Sequence, residues 1–141
     1  MAAGGSVLGL DLGDVRIGVA LSDPARKLAV PLGTVTVGRP PGELRAIAAL
    51  VQEHGVSLVV LGEPRSMDGS VGPRAKHAAA FAGALAEVID VPVELQDERL
   101  STVEGERRLR EAGVGGRRRR SVIDAVAAQV ILQAWLDARS D

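Results

Sequence analysis

The segment formed by residues 7–13 constrains the fold most, because it has the composition of a buried β-strand and yet contains the carboxylate of Asp11. Side chains alternate between the two faces of a strand, so its three leucines are predicted to face one way and Asp11 the other. An ionised carboxylate among apolar side chains is unfavourable unless a cation or hydrogen-bond donors stabilise it. Gly9 and Gly13 are expected to leave a gap for a metal ion that carries a phosphate. The alternative is that Asp11 only caps the turn that follows.

The order of the predicted elements indicates one α/β domain over residues 1–141. Three antiparallel strands come first, and the later strands alternate with helices, which favours parallel pairing with right-handed crossovers. The expected fold is a mixed five-stranded sheet flanked by helices on both faces. The strands are predicted at residues 7–13, 15–22, 28–37, 56–61 and 91–95.

The helices are predicted from apolar spacing and from their capping residues. One helix around Leu44–Val51 is expected to end at Gly55, and a second covers residues 72–89. Capping-box patterns at Ser101 and Ser121 predict two more helices. The arginine-rich stretch between them, residues 113–120, is predicted to be flexible.

Composition excludes several classes of site. The chain has no cysteine, which excludes disulfides, thiolate zinc sites and cysteine nucleophiles. His54 and His77 are each expected on the surface of a helix. Aromatic residues are only 1% of the chain and the net charge is −1, so nucleic acid would have to bind a local basic patch. No apolar run is long enough to span a membrane and Asp11 comes too early for a signal peptide, so we expect a cytoplasmic protein with no membrane partner.

Four blocks of sequence, in order along nearly the whole chain, resemble the YqgF/RuvX family of RNase H-like proteins. The blocks are residues 8–13 with 16–20, residues 67–70, residues 97–102, and residues 123–128 with 131–133. Members of that family are named as Holliday junction resolvases or as nucleases that mature the 5′ end of the pre-16S ribosomal RNA. The resemblance implies an RNase H-like fold and a two-metal nuclease site. It assigns catalytic and metal-binding roles to Asp11, Glu98 and Asp124, with Mg²⁺ or Mn²⁺ as the cofactor.

Each carboxylate also has a simpler interpretation. Asp124 lies three residues after Ser121 and could complete a helix cap, although its helical face is otherwise apolar. Glu98 could pair with Arg99 or cap the next helix. Asp97 is the alternative to Glu98 as the site carboxylate. Strand alternation turns the two side chains in opposite directions, so only one of them can reach the site.

Glu63 marks a departure from the family, which usually has an apolar residue at the end of this strand. Glu63 could add a metal ligand. We expect it instead to be a solvated loop residue, because surface exposure is the usual fate of glutamate. Asp14, Asp23 and Asp68 are expected in turns.

Basic and hydroxyl side chains near the predicted site are candidates for contacts to nucleic acid. Arg16 is a lone charge in an apolar strand, and its alternative partner is Asp14. Thr102 could touch a phosphate or serve as a helix cap. The basic run could be a clamp that binds nucleic acid or only a solvated loop. It consists of Arg117, Arg118, Arg119 and Arg120.

The leading functional hypothesis is a metal-dependent endonuclease that acts on a ribosomal RNA precursor or on branched DNA. A non-catalytic nucleic-acid-binding module with the same fold is the alternative, and it would need the arginines but not the carboxylates. Residues 9–13 also resemble the first phosphate loop of the actin and heat-shock-protein ATPase superfamily, which binds nucleotide between two such domains. A junction resolvase needs two sites, so a homodimer is a further expectation.

Overall fold

The computed structural model describes residues 5–39, 42–64, 72–98 and 117–139, with the backbone alone described for 117–121. The predicted helix at Ser101 lies outside this part of the chain. The strands are β1 (Ser6–Leu12), β2 (Arg16–Ser22), β3 (Ala29–Thr36), β4 (Val56–Glu63) and β5 (Val93–Asp97). The helices are α1 (Gly42–Glu53), α2 (Pro73–Ala86) and α3 (Arg117–Arg139). None of these helices is long and apolar enough to span a membrane.

The strands form one mixed sheet in the order β3-β2-β1-β4-β5. β2 is antiparallel to both β1 and β3, whereas β4 pairs in parallel with β1 and with β5. The predicted combination of three antiparallel strands with later parallel ones is therefore confirmed. Pro31 lies in β3, where proline is tolerated because β3 is an edge strand, and Leu32 forms a bulge there, because Val19 pairs with Gly33 and Ala20 with Pro31.

Two apolar layers cover the sheet, one on each face. On one face Leu8 and Leu10 pack with buried residues of α1 and α2, including Ile47 and Leu85. On the other face the buried side chains of α3 pack against Val7 and its neighbours. Alternation along β1 therefore separates the two layers, as the sequence predicted.

Helix α3 is fixed to both edges of the sheet by polar contacts. At the β3 edge, the Gln133 side chain accepts a hydrogen bond from the Ala29 amide at 2.9 Å, and Gln129 donates to the Ala29 carbonyl at 3.0 Å. At the β5 edge, the Trp135 indole donates to Glu94 at 3.2 Å. These contacts place α3 across the sheet and limit its freedom to slide.

Glycines let α3 approach the sheet unusually closely. A Cβ built at Gly18 would overlap the backbone oxygen of Asp124, and one built at Gly9 would lie 2.7 Å from the Cβ of Leu132. A Cβ at Gly62 would lie 2.6 Å from Cδ1 of Ile131. Real Cβ atoms essentially never come so close, so α3 would have to move away if Gly18 or Gly9 carried a side chain, whereas at Gly62 the flexible end of Ile131 could shift instead.

The predicted boundary between the flexible stretch and the last helix is wrong. Arg117–Arg120 belong to the helix, which begins before Ser121, so that part of the stretch predicted to be flexible is helical. Residues 113–116 lie outside the described residues. The misplacement arises because arginine is a good helix former, and the capping pattern at Ser121 hid that propensity.

We predict that Gly18→Ala destabilises the fold by about 1–3 kcal/mol, because the new methyl group forces the first half of α3 off the sheet. The free energy of unfolding should be measured in a denaturant titration with EDTA present.

Gly83→Ala is the matched control, since a Cβ at this position in α2 meets nothing within 4 Å. Replacing glycine by alanine in a helix should leave stability unchanged or raise it by up to about 1 kcal/mol. Equal effects of the two substitutions would show that the close approach of α3 is not under steric constraint.

Candidate functional site

The carboxyl ends of the parallel strands β1, β4 and β5 meet at one edge of the sheet. Asp11 lies near the end of β1 and is 1% exposed, and Glu98 immediately follows β5 and is 7% exposed. Ligands of open α/β sheets bind outside the carboxyl ends of the strands, where the topology changes. β1 is such a position, because its neighbours run antiparallel on one side and parallel on the other.

Asp11 has a glycine beside it on each neighbouring strand. Gly18 is its direct partner on β2, and Gly62 follows the parallel pair of Leu10 with Leu61 on β4. Adjacent strands are about 4.8 Å apart, so these two glycines leave the space on both sides of Asp11 without side chains. The positions beside Asp11 on the neighbouring strands are therefore accessible to groups from other elements of the chain.

The Glu98 carboxylate and the Asp124 backbone occupy the positions above these glycines. A Cβ at Gly62 would overlap Oε2 of Glu98, and the backbone of Asp124 lies against Gly18. Asp124 is 3% exposed, which confirms that it faces inward. The structure therefore brings together the three predicted site residues, which come from separate parts of the chain.

Gly9 and Gly13 do not provide the open gap that we expected of them. The space above Gly9 is occupied by Leu132 and the carbonyl of Ala128, and a Cβ at Gly13 would lie 2.5 Å from the carbonyl oxygen of Arg16. Neighbouring glycines along a strand only show where side chains are missing. What fills the space depends on the element that packs above.

Arg16 is an ion-pair partner of Asp124, and not of Asp14 as the alternative interpretation had it. Its Nε donates to Oδ2 of Asp124 at 2.7 Å, and their side chains are 21% and 4% exposed. Asp124 lies roughly two turns inside α3, so a capping role with Ser121 is ruled out by the position of the helix start.

Strand alternation separates Asp97 from Glu98 as predicted. Asp97 is exposed at the end of β5, whereas Glu98 is buried and its amide donates to the Glu63 carbonyl at 3.2 Å. Asp23 occupies a turn, as expected. Its carboxylate accepts hydrogen bonds from the Leu28 and Lys27 amides, and these lower the pKa of Asp23.

Glu63 is not the solvated loop residue that we expected. It is the last residue of β4 and is only 8% exposed. The sequence could not show this, because burial there depends on the neighbouring elements. Alternation with Gly62 places Glu63 on the opposite face from Asp11, where α1 and α2 pack.

A narrow cleft of about 30 Å³ opens beside Asp11 at the same sheet edge. Its walls include Arg74 and His77, two exposed residues in the first half of α2. Such a volume admits one or two water molecules or an ion. His77 is on the surface of a helix, as predicted. Neither side chain was expected beside the carboxylate, because the start of α2 meets β1 only in the folded chain.

A larger groove, of about 520 Å³, lies between the ends of α1 and α2. Its only charged lining residues in the described part of the chain are Arg45 and Asp90. A functional site combines a concave surface with convergent polar groups, and buried ionisable residues strengthen the case. The carboxylate-lined edge of the sheet therefore remains the candidate site, despite its smaller cleft.

Of the remaining predicted contacts to nucleic acid, the four arginines of the basic run lie in a described helix. Arg117, Arg118, Arg119 and Arg120 form the first turn of α3, on the same helix as Asp124. Thr102 lies outside the described residues, as do Asp68 and Ser101.

The donor set of this site suits a hard divalent cation. Mg²⁺ and Mn²⁺ prefer carboxylate and water oxygens, and three buried carboxylates above a glycine-lined floor supply them. Within the described residues, no three His, Cys, Asp or Glu side chains are already at the spacing of a metal site. Oδ2 of Asp124 is engaged by Arg16.

Solved structures with the same architecture define the fold class. Thermus thermophilus RuvC in complex with a Holliday junction matches with a TM-score of 0.53 at 16% identity, covering 96% of this chain and 95% of that one. The fowlpox virus resolvase in complex with junction DNA matches with a TM-score of 0.55 at 9% identity, covering 96% and 99%. These likenesses show the fold alone, which is RNase H-like as predicted.

Sequence comparison identifies the family. The model described as "RuvX: Holliday junction resolvase" matches residues 5–138. A relative from Pelotomaculum thermopropionicum is 51% identical over 134 residues, covering 94% of this chain and 87% of the relative. One from Myxococcus xanthus is 53% identical over 131 residues, covering 93% and 87%. Both are named as candidate pre-16S rRNA nucleases. The chain belongs to the RuvX family.

We predict that Glu63→Leu lowers the free energy of unfolding by about 1–3 kcal/mol, because the buried polar groups around this carboxylate would lose a hydrogen-bond partner. The same variant should keep the wild-type increase in melting temperature on addition of Mn²⁺, because this side chain faces away from Asp11.

Glu63→Gln preserves shape and one oxygen acceptor, so it should lose less stability than the leucine variant. Loss of the Mn²⁺ response in both variants, with intact folding, would instead make Glu63 a metal ligand.

Proposed function

We propose that this chain is a metal-dependent endonuclease that hydrolyses phosphodiester bonds in structured nucleic acid. The observation that supports the proposal is that three buried acidic residues, Asp11, Glu98 and Asp124, lie on or against neighbouring positions of β1, β4 and β2 near the carboxyl end of the parallel strands. Family membership supports a nuclease, and the names of the relatives favour the 16S ribosomal RNA precursor as substrate. A Holliday junction is the second candidate substrate, favoured by the description of the family model.

In this proposal the three carboxylates hold two Mg²⁺ or Mn²⁺ ions. Bound divalent cations stabilise the charge that develops on the attacking and leaving oxygens of a phosphodiester. The chain contributes fixed geometry: Asp11 from the central strand, Glu98 from the end of β5, and Asp124 from a helix that the glycines let approach. Burial of all three carboxylates strengthens their attraction for cations, because water screens little of it.

Arginines near the site would bind the nucleic-acid backbone. Arg74 lines the cleft beside Asp11, and Arg117–Arg120 form the first turn of the helix that carries Asp124. Arginine grips phosphate oxygens with two parallel hydrogen bonds. Symmetric cleavage of a four-way junction needs two active sites, so that substrate would require a homodimer, whereas precursor RNA would not.

We predict that Asp11→Asn abolishes cleavage while leaving the metal-free protein as stable as wild type or more stable. The substitution keeps the size of the side chain and removes like-charge repulsion among the three carboxylates. Wild type should gain thermal stability with Mn²⁺, because a ligand that binds only the folded state stabilises it, and the variant should gain much less. Cleavage of precursor RNA and of a four-way DNA junction should be compared with Mg²⁺, Mn²⁺ or EDTA.

Asp14→Asn is the matched control, because Asp14 is an exposed carboxylate that lines the same cleft. It should keep cleavage and the Mn²⁺ response. If Asp11→Asn cuts either substrate at the wild-type rate in Mg²⁺, the chain is not a metal-dependent nuclease through this site. The non-catalytic binding module would then take its place.

A second prediction concerns the basic run, Arg117–Arg120, in the first turn of α3. Replacing Arg117 to Arg120 by alanine should keep the helix, since alanine is the best helix former, and weaken binding of nucleic acid. The log–log dependence of affinity on salt should flatten by about 0.7–0.9 for each phosphate group that the variant no longer neutralises.

Arg45→Ala is the control for this experiment, because Arg45 lines the groove away from the carboxylates. Its salt dependence should match wild type. An unchanged slope for the fourfold variant would show that these arginines do not touch the nucleic-acid backbone.

A further inference from the structure

Arg16 already neutralises one of the three site carboxylates. Among the described residues, the only hydrogen bond of its guanidinium runs from Nε to Oδ2 of Asp124, at 2.7 Å. The Asp124 side chain is 4% exposed and that of Arg16 is 21% exposed. A buried carboxylate is therefore held by a cation that the chain itself supplies and that stays within reach of solvent.

The position of Arg16 in the sheet explains this pairing. Arg16 and Gly18 are two residues apart on β2, so they share the sheet face on which Asp11 lies. Gly18 has no side chain, so Asp124 approaches the sheet directly, and Arg16 reaches it from the end of the strand. The guanidinium thus stands at the rim of the same carboxylate cluster.

The electrostatic consequence follows from burial. Three ionised carboxylates placed together repel one another, and a cation beside one of them stabilises the charged form. A divalent cation bound by the same carboxylates competes for the same oxygen lone pairs and is repelled by the guanidinium. The ion pair and full metal coordination by Asp124 therefore oppose each other.

We propose that Arg16 is a positioning residue that acts as an internal counter-ion: it holds Asp124 against the sheet and yields it to the divalent cation. Once released, the guanidinium is free to bind a phosphate oxygen of the nucleic acid at the rim of the site. Its five N–H donors suit both partners, the carboxylate and the phosphate. This inference rests on the proposed metal-dependent function and adds an exchange of partners to it.

The first test measures Mn²⁺ affinity by calorimetry and melting temperature with EDTA or Mn²⁺. Arg16→Gln should melt lower than wild type in EDTA, because Asp124 loses its counter-ion. The variant should bind Mn²⁺ about tenfold more tightly, the factor that corresponds to 1.4 kcal/mol, because the competing charge is gone. Its increase in melting temperature with Mn²⁺ should therefore exceed that of wild type. Arg16→Lys keeps the charge and should bind Mn²⁺ with nearly wild-type affinity, and it serves as the test if the glutamine variant does not fold.

Arg26→Gln is the matched control. Arg26 is half-buried and donates to the Gly5 carbonyl and to the Ser57 hydroxyl, each at 2.9 Å, at the opposite end of the sheet. Its removal should lower the melting temperature equally with EDTA and with Mn²⁺ and leave Mn²⁺ affinity unchanged. A purely structural Arg16 would behave in the same way.

The second test follows the Nε–H signals of the two arginines by NMR during a Mg²⁺ titration. The Arg16 signal should shift as its bond to Asp124 is lost, and the Arg26 signal should stay in place. Unchanged or weaker Mn²⁺ affinity in Arg16→Gln, or a fixed Arg16 signal in a protein that binds Mg²⁺, would overturn the proposed exchange of partners but not the metal-dependent function. Absence of any stabilisation of wild type by Mn²⁺ would overturn the metal-dependent function itself.

Discussion

The close approach of α3 to the sheet is the constraint on which the rest of the structure depends. It is permitted by glycines on three adjacent strands, Gly9, Gly18 and Gly62, whose missing side chains are replaced by atoms of the helix or of the site. The same approach buries the apolar side of α3 and delivers Asp124 to the end of β1. Stability and the proposed chemistry therefore share one geometric requirement, and a methyl group at Gly18 would disturb both.

A second feature of the structure is the burial of charged side chains at the candidate site. Asp11, Glu98 and Asp124 are all more than nine-tenths buried, although isolated charges avoid the interior of a protein. Arg16 compensates part of this charge from within the chain. Buried carboxylates favour a bound cation, and Arg74 of α2 lines the cleft beside Asp11. Buried like-charged groups of this kind mark a candidate functional site, where function rather than stability selects the residues.

Much of the fold followed from local patterns. The strand alternation of β1, the apolar run of β4 and the end of α1 shortly before Gly55, where φ is +60°, all appear as predicted. The errors lie where local signals compete. The capping pattern at Ser121 misplaced the start of α3, and the usual exposure of glutamate misplaced Glu63, which is buried at the end of β4.

By itself, the sequence determined the mixed sheet and the family resemblance, and it singled out three carboxylates as candidate site residues, because periodicity and motifs are local properties of the chain. Only the tertiary structure decided what surrounds them. It showed that Gly18 and Gly62, on the strands that flank Asp11, admit Asp124 and Glu98, whereas the space above Gly9 is filled by Leu132, and that Arg16 pairs with Asp124. These contacts join segments far apart in the chain, so they depend on how α3 packs on the sheet, which no single stretch of sequence specifies.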